Sequence, residues 1–114
     1  MIGDMPSPAL ARFEALLVAG KDGSLLRFAL GNEYMKIGAA AKALPHLRRA
    51  VELDPNYSAA WKLLGKALAE QNQSEDAFNA YQQGIASAQR KGDKQAMKEM
   101  QVFARRLAKV LGRE

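Results

Sequence analysis

Residues 32–84 read NEYMKIGAAAKALPHLRRAVELDPNYSAAWKLLGKALAEQNQSEDAFNAYQQG, and this stretch repeats its pattern of residue types at an interval of 34 positions. Hairpins of helix that recur at such an interval cannot bury their apolar faces alone, and they stack on one another to do so. The sequence therefore predicts stacked helical hairpins. The pairs 34 positions apart include Leu30 and Leu64, Gly31 and Gly65, Tyr34 and Leu68, Ala43 and Ala77, and Leu47 and Tyr81.

Apolar residues in both copies recur at three- and four-residue spacing, over about residues 24–37 and 56–71. This spacing is typical of a helix with one buried face. Gly31 and Gly65 lie within these segments, and Ala43 and Ala77 lie within the segments that follow. Small residues at these positions let paired helices approach closely, so we expect each copy to fold as one hairpin.

The two copies are flanked by a further predicted helix on each side. Residues 8–19 align with the second helix of a preceding copy, and Ser7-Pro8 is a typical helix start. Residues 92–112 predict a strongly amphipathic capping helix. We therefore expect one domain over residues 1–114, with a half-repeat helix, repeat 1 and repeat 2 before the cap. The predicted bounds are 8–19, 24–57, 58–91 and 92–112.

Three local features have their own predictions. Asn56 and Ser74 are typical N-cap residues at the expected starts of helices in the second copy. Pro45 lies a few residues into a predicted helix, where it removes a backbone hydrogen bond. We expect a kink there, or a delayed helix start after Gly38.

The repeated residues resemble the tetratricopeptide repeat pattern, which is W-x2-L-G-x2-Y, then A-x3-F, then P. The second copy supplies Trp61, Leu64, Gly65, Ala77 and Tyr81, and the first supplies Leu30, Gly31, Tyr34, Ala43, Ala50 and Pro55. The resemblance implies an all-α fold, an antiparallel helix-hairpin solenoid of about six helices. It also implies a scaffold for protein binding, with Trp61 at a core position of the repeat.

Composition excludes several classes of protein. The chain has no cysteine, which rules out disulfides and thiolate metal sites. It shows no apolar run of membrane-spanning length and no signal-peptide pattern, so we expect a cytoplasmic protein without a membrane segment. The net charge of +5 arises at the end of the chain. Residues 1–89 contain nine basic and nine acidic residues, whereas residues 90–114 contain eight basic and three acidic residues.

The sequence offers little catalytic chemistry. His46 is the only histidine, and we interpret it as a half-packed helix residue. Gly65-Lys66 lacks the other residues of a phosphate loop, and the adjacent acids Glu75 and Asp76 point in different directions on a helix. We therefore predict no enzymatic activity, no catalytic residue, no metal site and no cofactor.

The resemblance implies that the first helix of each copy lines a concave groove that binds a protein or peptide. The Asn32 amide together with Lys62 and Lys66 would suit acidic groups or a free carboxylate on the peptide. Phe28, Met35 and Leu63 favour instead a partly apolar groove for a helix or a hydrophobic peptide. The residues carried over are Phe28, Asn32, Met35 and Lys36 in the first copy and Lys62, Lys66 and Glu70 in the second.

The carboxylate clamp for acidic chaperone tails is a well-known groove in this family, and this sequence mostly lacks it. Asn32 occupies the first asparagine position, but Phe28 replaces a clamp lysine and Leu63 replaces the second asparagine. Asp93 and Met97 occupy the remaining basic positions. The sequence therefore does not predict a receptor for chaperone tails.

The last helix offers a second interpretation. Its basic residues lie in one narrow arc and would suit a nucleic-acid or polyanion accessory protein. No aromatic residue is interleaved with them to stack a base, so a solvated cap explains them better and nucleic acid is disfavoured. Weak homodimer formation through an apolar edge is a third interpretation. The residues of this basic stripe are Lys94, Lys98, Arg105 and Lys109.

Overall fold

The computed structural model describes residues 7–113 and contains six α-helices joined by short turns, with no strand in that part of the chain. The all-α hairpin solenoid expected from the repeat is confirmed. The helices are α1 (Pro8–Val18), α2 (Ser24–Lys36), α3 (Ala40–Leu53), α4 (Ser58–Glu70), α5 (Ser74–Lys91) and α6 (Lys94–Val110).

The two helices of each repeat hairpin are in close contact at a glycine. An added Cβ on Gly65 of α4 would lie 2.6 Å from the Tyr81 ring of α5, and one on Gly31 of α2 would overlap the Leu47 side chain of α3. Both pairs are 16 residues apart, so the same close approach occurs in both copies. The two glycines therefore set how closely the helices of each hairpin pack.

The core runs through the hairpins and continues under α6. Leu30, Leu47 and Leu68 are almost fully buried between α2 and α5. Met100 of α6 is fully buried against α5, where Gly84 leaves room for its sulfur. The last helix thus covers the apolar face of the second repeat, as a capping helix should.

Trp61 has both an apolar and a polar role. Its ring is partly buried and packs against the core of the repeats. Its indole Nε1 donates a 2.8 Å hydrogen bond to the carbonyl oxygen of Pro55, in the turn before α4. Trp61 therefore links that turn to the core. Its packing agrees with the core position that the resemblance implies.

The helix α1 packs on α2. Ser7 caps it by accepting a hydrogen bond from the Leu10 amide, and Pro8 occupies the first turn. The Tyr34 hydroxyl of α2 donates to Glu14 of α1 at 2.7 Å. This bond raises the pKa of Tyr34, because the carboxylate accepts from the protonated hydroxyl.

Two predicted caps are wrong. α4 and α5 begin after Tyr57 and Gln73, and neither helix has a side-chain cap. The Asn56 side chain instead accepts a hydrogen bond from Arg90 Nε at 2.9 Å, and Ser74 is already the first residue of α5. Asn56 is therefore used to join the α3–α4 turn to the end of α5.

The helix α3 is not delayed relative to α5. It begins at Ala40, the equivalent of Ser74, and it continues through Pro45 in its second turn. Pro45 removes the amide that would bond to the Ala41 carbonyl. Because both residues are exposed, water can satisfy that carbonyl.

Candidate functional site

A concave groove of about 790 Å³ lies between the first helices of the two repeats and α6. Its volume is in the range of binding clefts for peptides and small molecules. α2 and α4 contribute most of its wall, α6 contributes one residue and α5 contributes one at the base. The lining residues are Phe28, Asn32, Ala59, Lys62, Leu63, Lys66, Ala69, Glu70, Tyr81 and Phe103.

The groove is mainly apolar. Phe28 packs on Tyr57 with 5.0 Å between ring centroids, and Phe103 of α6 packs on Tyr81 with a separation of 5.4 Å. Leu63 lies between these aromatic pairs along α4 and is only partly buried. The groove therefore offers two aromatic surfaces and an aliphatic one to an apolar side chain from a partner.

The charges on the groove wall differ from those expected from the sequence. Lys62 Nζ lies 2.6 Å from Glu99 Oε2 of α6, so its charge is largely compensated. Lys66 is exposed and has no ion-pair partner among residues 7–113. Lys66 is therefore the cation most available to a ligand, and the groove is less basic than two lysines suggest.

Tyr81 stays neutral at the base of the groove. Burial raises its pKa to about 12, and the negative charge of Glu70 adds to the effect. A neutral hydroxyl among apolar groups is an uncharged hydrogen-bonding group over the physiological pH range.

The structure brings together five of the seven predicted groove residues and places two elsewhere. Phe28, Asn32, Lys62, Lys66 and Glu70 line the groove. These five positions on α2 and α4 came from the family resemblance, and their role in binding stays a prediction.

Met35 and Lys36 do not line the groove. Met35 packs against the core, and Lys36 pairs with Glu33 at 2.8 Å, which lowers the pKa of that carboxyl. Both lie about one turn past Asn32, the last residue of α2 that lines the groove. Lys36 borders a neighbouring depression between α1 and α2 instead, and a role of either residue in binding stays a prediction.

Sequence reasoning did not place four of the lining residues in the groove, and it did not identify Glu99 as the partner of Lys62. The four residues are Ala59, Ala69, Tyr81 and Phe103. α6 does not keep the 34-residue frame of the repeats, so an offset could not place its side chains. The strong amphipathic pattern of α6 was the available signal, because Phe103 lies at the margin of its apolar arc.

The predicted basic stripe lies along the outer face of α6. Lys94, Lys98, Arg105 and Lys109 are all exposed, and Arg105 borders a shallow depression between α5 and α6. Arg106 stacks on Phe103 at 5.9 Å instead of joining the stripe. The stripe is therefore a solvent-facing surface separate from the groove.

His46 belongs to a polar cluster that joins α1, α2 and α3. Its Nδ1 accepts a hydrogen bond from Arg27 Nη1 at 3.1 Å, its Nε2 lies 3.8 Å from Glu14, and its ring stacks on Tyr34 at 5.6 Å. Arg27 is in turn bonded to Asp22. The pKa of His46 is lowered, mainly by burial. These contacts are structural, and the cluster does not border the groove.

Residues 7–113 contain no group of three or more histidine, aspartate or glutamate side chains placed to hold a metal ion. Over the same residues, none of the helices has both the length and the apolar character that a membrane crossing requires.

Stacked antiparallel hairpins with a concave face define a class of helical repeat proteins, and comparison with known sequences identifies the family. The tetratricopeptide repeat family matches residues 6–57 and 28–93. A relative, the TPR repeat-containing protein PA0015 of Pseudomonas aeruginosa, is 52% identical over 94 residues, which cover 82% of this chain and 90% of that protein. The chain belongs to the tetratricopeptide repeat family, whose members are typically non-enzymatic interaction modules.

Solved structures share the fold. Protein BPP2914 from Bordetella parapertussis is 48% identical, with a TM-score of 0.76 and 90% of each chain covered. A tetratricopeptide repeat domain protein from Salinibacter ruber is 30% identical, with a TM-score of 0.69, covering 75% of this chain and 87% of its own.

Proposed function

We propose that this protein is a non-enzymatic interaction module whose concave groove binds a peptide segment of a partner protein. The peptide would carry two apolar side chains, for the aromatic surfaces at Phe28 and Phe103, and one acidic group for Lys66. The observation that carries the proposal is an open, mainly apolar groove. Of the two lysines that line it, Lys62 is paired with Glu99 and Lys66 has no ion-pair partner among residues 7–113.

Apolar contacts supply most of the binding free energy in this proposal. Aromatic and aliphatic surfaces that are only partly covered in the free protein gain from losing water on binding. Lys66 would add orientation and specificity more than affinity, because it is exposed to solvent. A purely acidic peptide would therefore bind poorly, since the Lys62 charge is already paired with Glu99.

A random-peptide display selection on the folded protein tests the proposal. Peptides enriched on the wild type would be assayed against Lys66→Glu, a groove variant, and against Lys98→Glu, which makes the same charge change on the exposed stripe of α6. Lys62→Glu is avoided because it would place a carboxylate beside Glu99 and disturb the wall.

Groove binding predicts peptides with spaced apolar residues and an acid, weakened by Lys66→Glu and unaffected by Lys98→Glu. The opposite pattern, with acidic sequences lost only in Lys98→Glu, would favour the stripe of Lys94, Lys98, Arg105 and Lys109 as the working surface. That stripe is the basis of the alternative function, a polyanion accessory protein.

A further inference from the structure

The stack is open at its first helices. α2 lies against α3 and α4, and α4 lies against α5 and α6. A helix placed 34 residues before α2 would lie in the same way against α1 and α2. At that place the structure has two adjoining depressions instead, which share Phe13, Leu25 and Ala29. We call this surface the α1–α2 edge.

Phe13 shows what the α1–α2 edge lacks. It is the counterpart of Leu47 and Tyr81, each 34 residues further along. Each of those two side chains is buried under a glycine of the preceding helix, Gly31 or Gly65. No helix among residues 7–113 covers Phe13 in this way, and it remains only partly buried.

The exposure of neighbouring side chains supports the same conclusion. Leu16 is 45% exposed, whereas its counterparts Ala50 and Gly84 are buried. Leu25, which borders both depressions, is 73% exposed. A large apolar side chain exposed at the margin of two depressions marks an interaction surface.

The charge at this edge indicates the kind of helix that it would accept. Lys21 borders the edge and has no ion-pair partner among residues 7–113. By the repeat, it lies where the covering helix would begin, and an acidic residue there complements both the lysine and the positive end of the helix.

We propose that the α1–α2 edge binds an amphipathic helix of a partner protein, which completes the first hairpin. The helix would span about three turns, as α2 does. It would present glycine or alanine to Phe13 and an acidic residue to Lys21. This site adjoins the concave groove at Phe28 and Asn32. It faces the α1 side of α2, and its binding does not depend on the function proposed for the groove.

A synthetic peptide of residues 22–36 is a direct probe. It reproduces α2, whose Gly31 already packs over Leu47, and it begins with the acidic Asp22. Titration into the isotopically labelled protein, followed by amide chemical shifts, locates its binding site. The expected result is saturable shifts at Phe13 and Leu25, with none at Lys66 in the concave groove.

Three variants decide whether the contact is the proposed one. In the peptide, Gly31→Leu is expected to abolish the shifts, because leucine would overlap Phe13. In the protein, Leu25→Glu is expected to weaken binding roughly tenfold or more, equivalent to the loss of one apolar anchor. Val110→Glu is the matched control, since Val110 is 72% exposed on the distant α6, and it is expected to leave binding unchanged.

Absence of saturable shifts would overturn the proposal, as would shifts confined to the concave groove or equal binding of the Gly31→Leu peptide. Sedimentation of the protein alone gives a further check. A dimer that forms in the wild type and dissociates in Leu25→Glu would assign the α1–α2 edge to a second copy of this chain, and would contradict a partner helix.

Discussion

Lys62 of α4 and Glu99 of α6 form a 2.6 Å ion pair across the wall of the concave groove. The pair joins the capping helix to the second repeat. It also compensates the charge of Lys62, one of the two lysines that line the groove. It therefore influences both how the groove is held together and what the groove can recognise. The ligand that remains suitable is apolar with one acid, not a polyanion.

The Lys62–Glu99 pair is expected to contribute little to stability, because both side chains are partly exposed. A double-mutant cycle with Lys62→Met and Glu99→Gln should give a coupling free energy of about 0.2–1 kcal/mol. Urea unfolding of the four proteins measures it. A coupling of several kcal/mol would show that the pair is structurally essential, and would contradict the view that it mainly sets the charge of the groove.

Gly65→Ala is expected to destabilise the protein by about 1–2 kcal/mol. Overpacking against the buried Tyr81 ring costs about 1–3 kcal/mol, which outweighs the gain of up to about 1 kcal/mol in helix propensity. Denaturant unfolding measures the change. Gly23→Ala is the comparison: an added Cβ there meets nothing within 4 Å, so only the loss of the glycine N-cap of α2 is expected, at about 0.5 kcal/mol. Equal stability of the two variants would contradict the close approach of α4 and α5.

Trp61→Phe is expected to cost about 1 kcal/mol, and Trp61→Ala about 3–5 kcal/mol. Phenylalanine keeps most of the packing but removes the hydrogen bond to the Pro55 carbonyl, whereas alanine also leaves a cavity. Thermal and denaturant unfolding compare them. A Phe variant as unstable as the Ala variant would mean that the hydrogen bond, not the packing, dominates.

The fold is expected to lose stability as the pH falls through the range where His46 titrates. Its pKa is lowered in the folded state, so the unfolded chain binds the proton more tightly and stability decreases below the ordinary histidine pKa of about 6.5. The positive charge of Arg27 also lowers the pKa of His46, whereas the negative charges of Glu14 and Asp22 raise it. Tyr34, stacked on the ring, stays neutral here because its pKa is raised.

The variant His46→Gln isolates this contribution. It keeps a group able to accept from Arg27 but cannot gain a proton, so the decrease between about pH 7.5 and 5.5 should become smaller. Asp22, with its lowered pKa, contributes stability that is lost only at lower pH. Unfolding curves of the wild type and His46→Gln between about pH 7.5 and 5.5 measure the difference. An unchanged pH dependence in His46→Gln would remove His46 as the cause.

The repeat pattern predicted the helices because it fixes which faces of α2 and α4 point together. It failed at the caps: Asn56 and Ser74 are common cap residues, but the turn geometry places Tyr57 and Gln73 there. It also could not show that Lys36 pairs with a neighbour on its own helix. Local propensity alone does not predict which of several competing tertiary and side-chain interactions a residue makes.

The contribution of α6 to the groove could not be predicted. Phe103 and Glu99 lie outside the 34-residue frame, and their positions depend on how α6 packs on α5 around Met100 and Gly84. The net positive charge of the chain end pointed to the outer face of α6 instead. An acid on the inner side of a basic helix is visible only once the packing is known.

Chemical-shift mapping of a display-selected peptide on the labelled protein tests the central claim most directly. The account predicts saturable shifts at Phe28, Leu63 and Phe103, weakened by Lys66→Glu and unchanged by Lys98→Glu. Failure to enrich any peptide, or shifts confined to the outer face of α6 that disappear in Lys98→Glu, would contradict a peptide-binding concave groove.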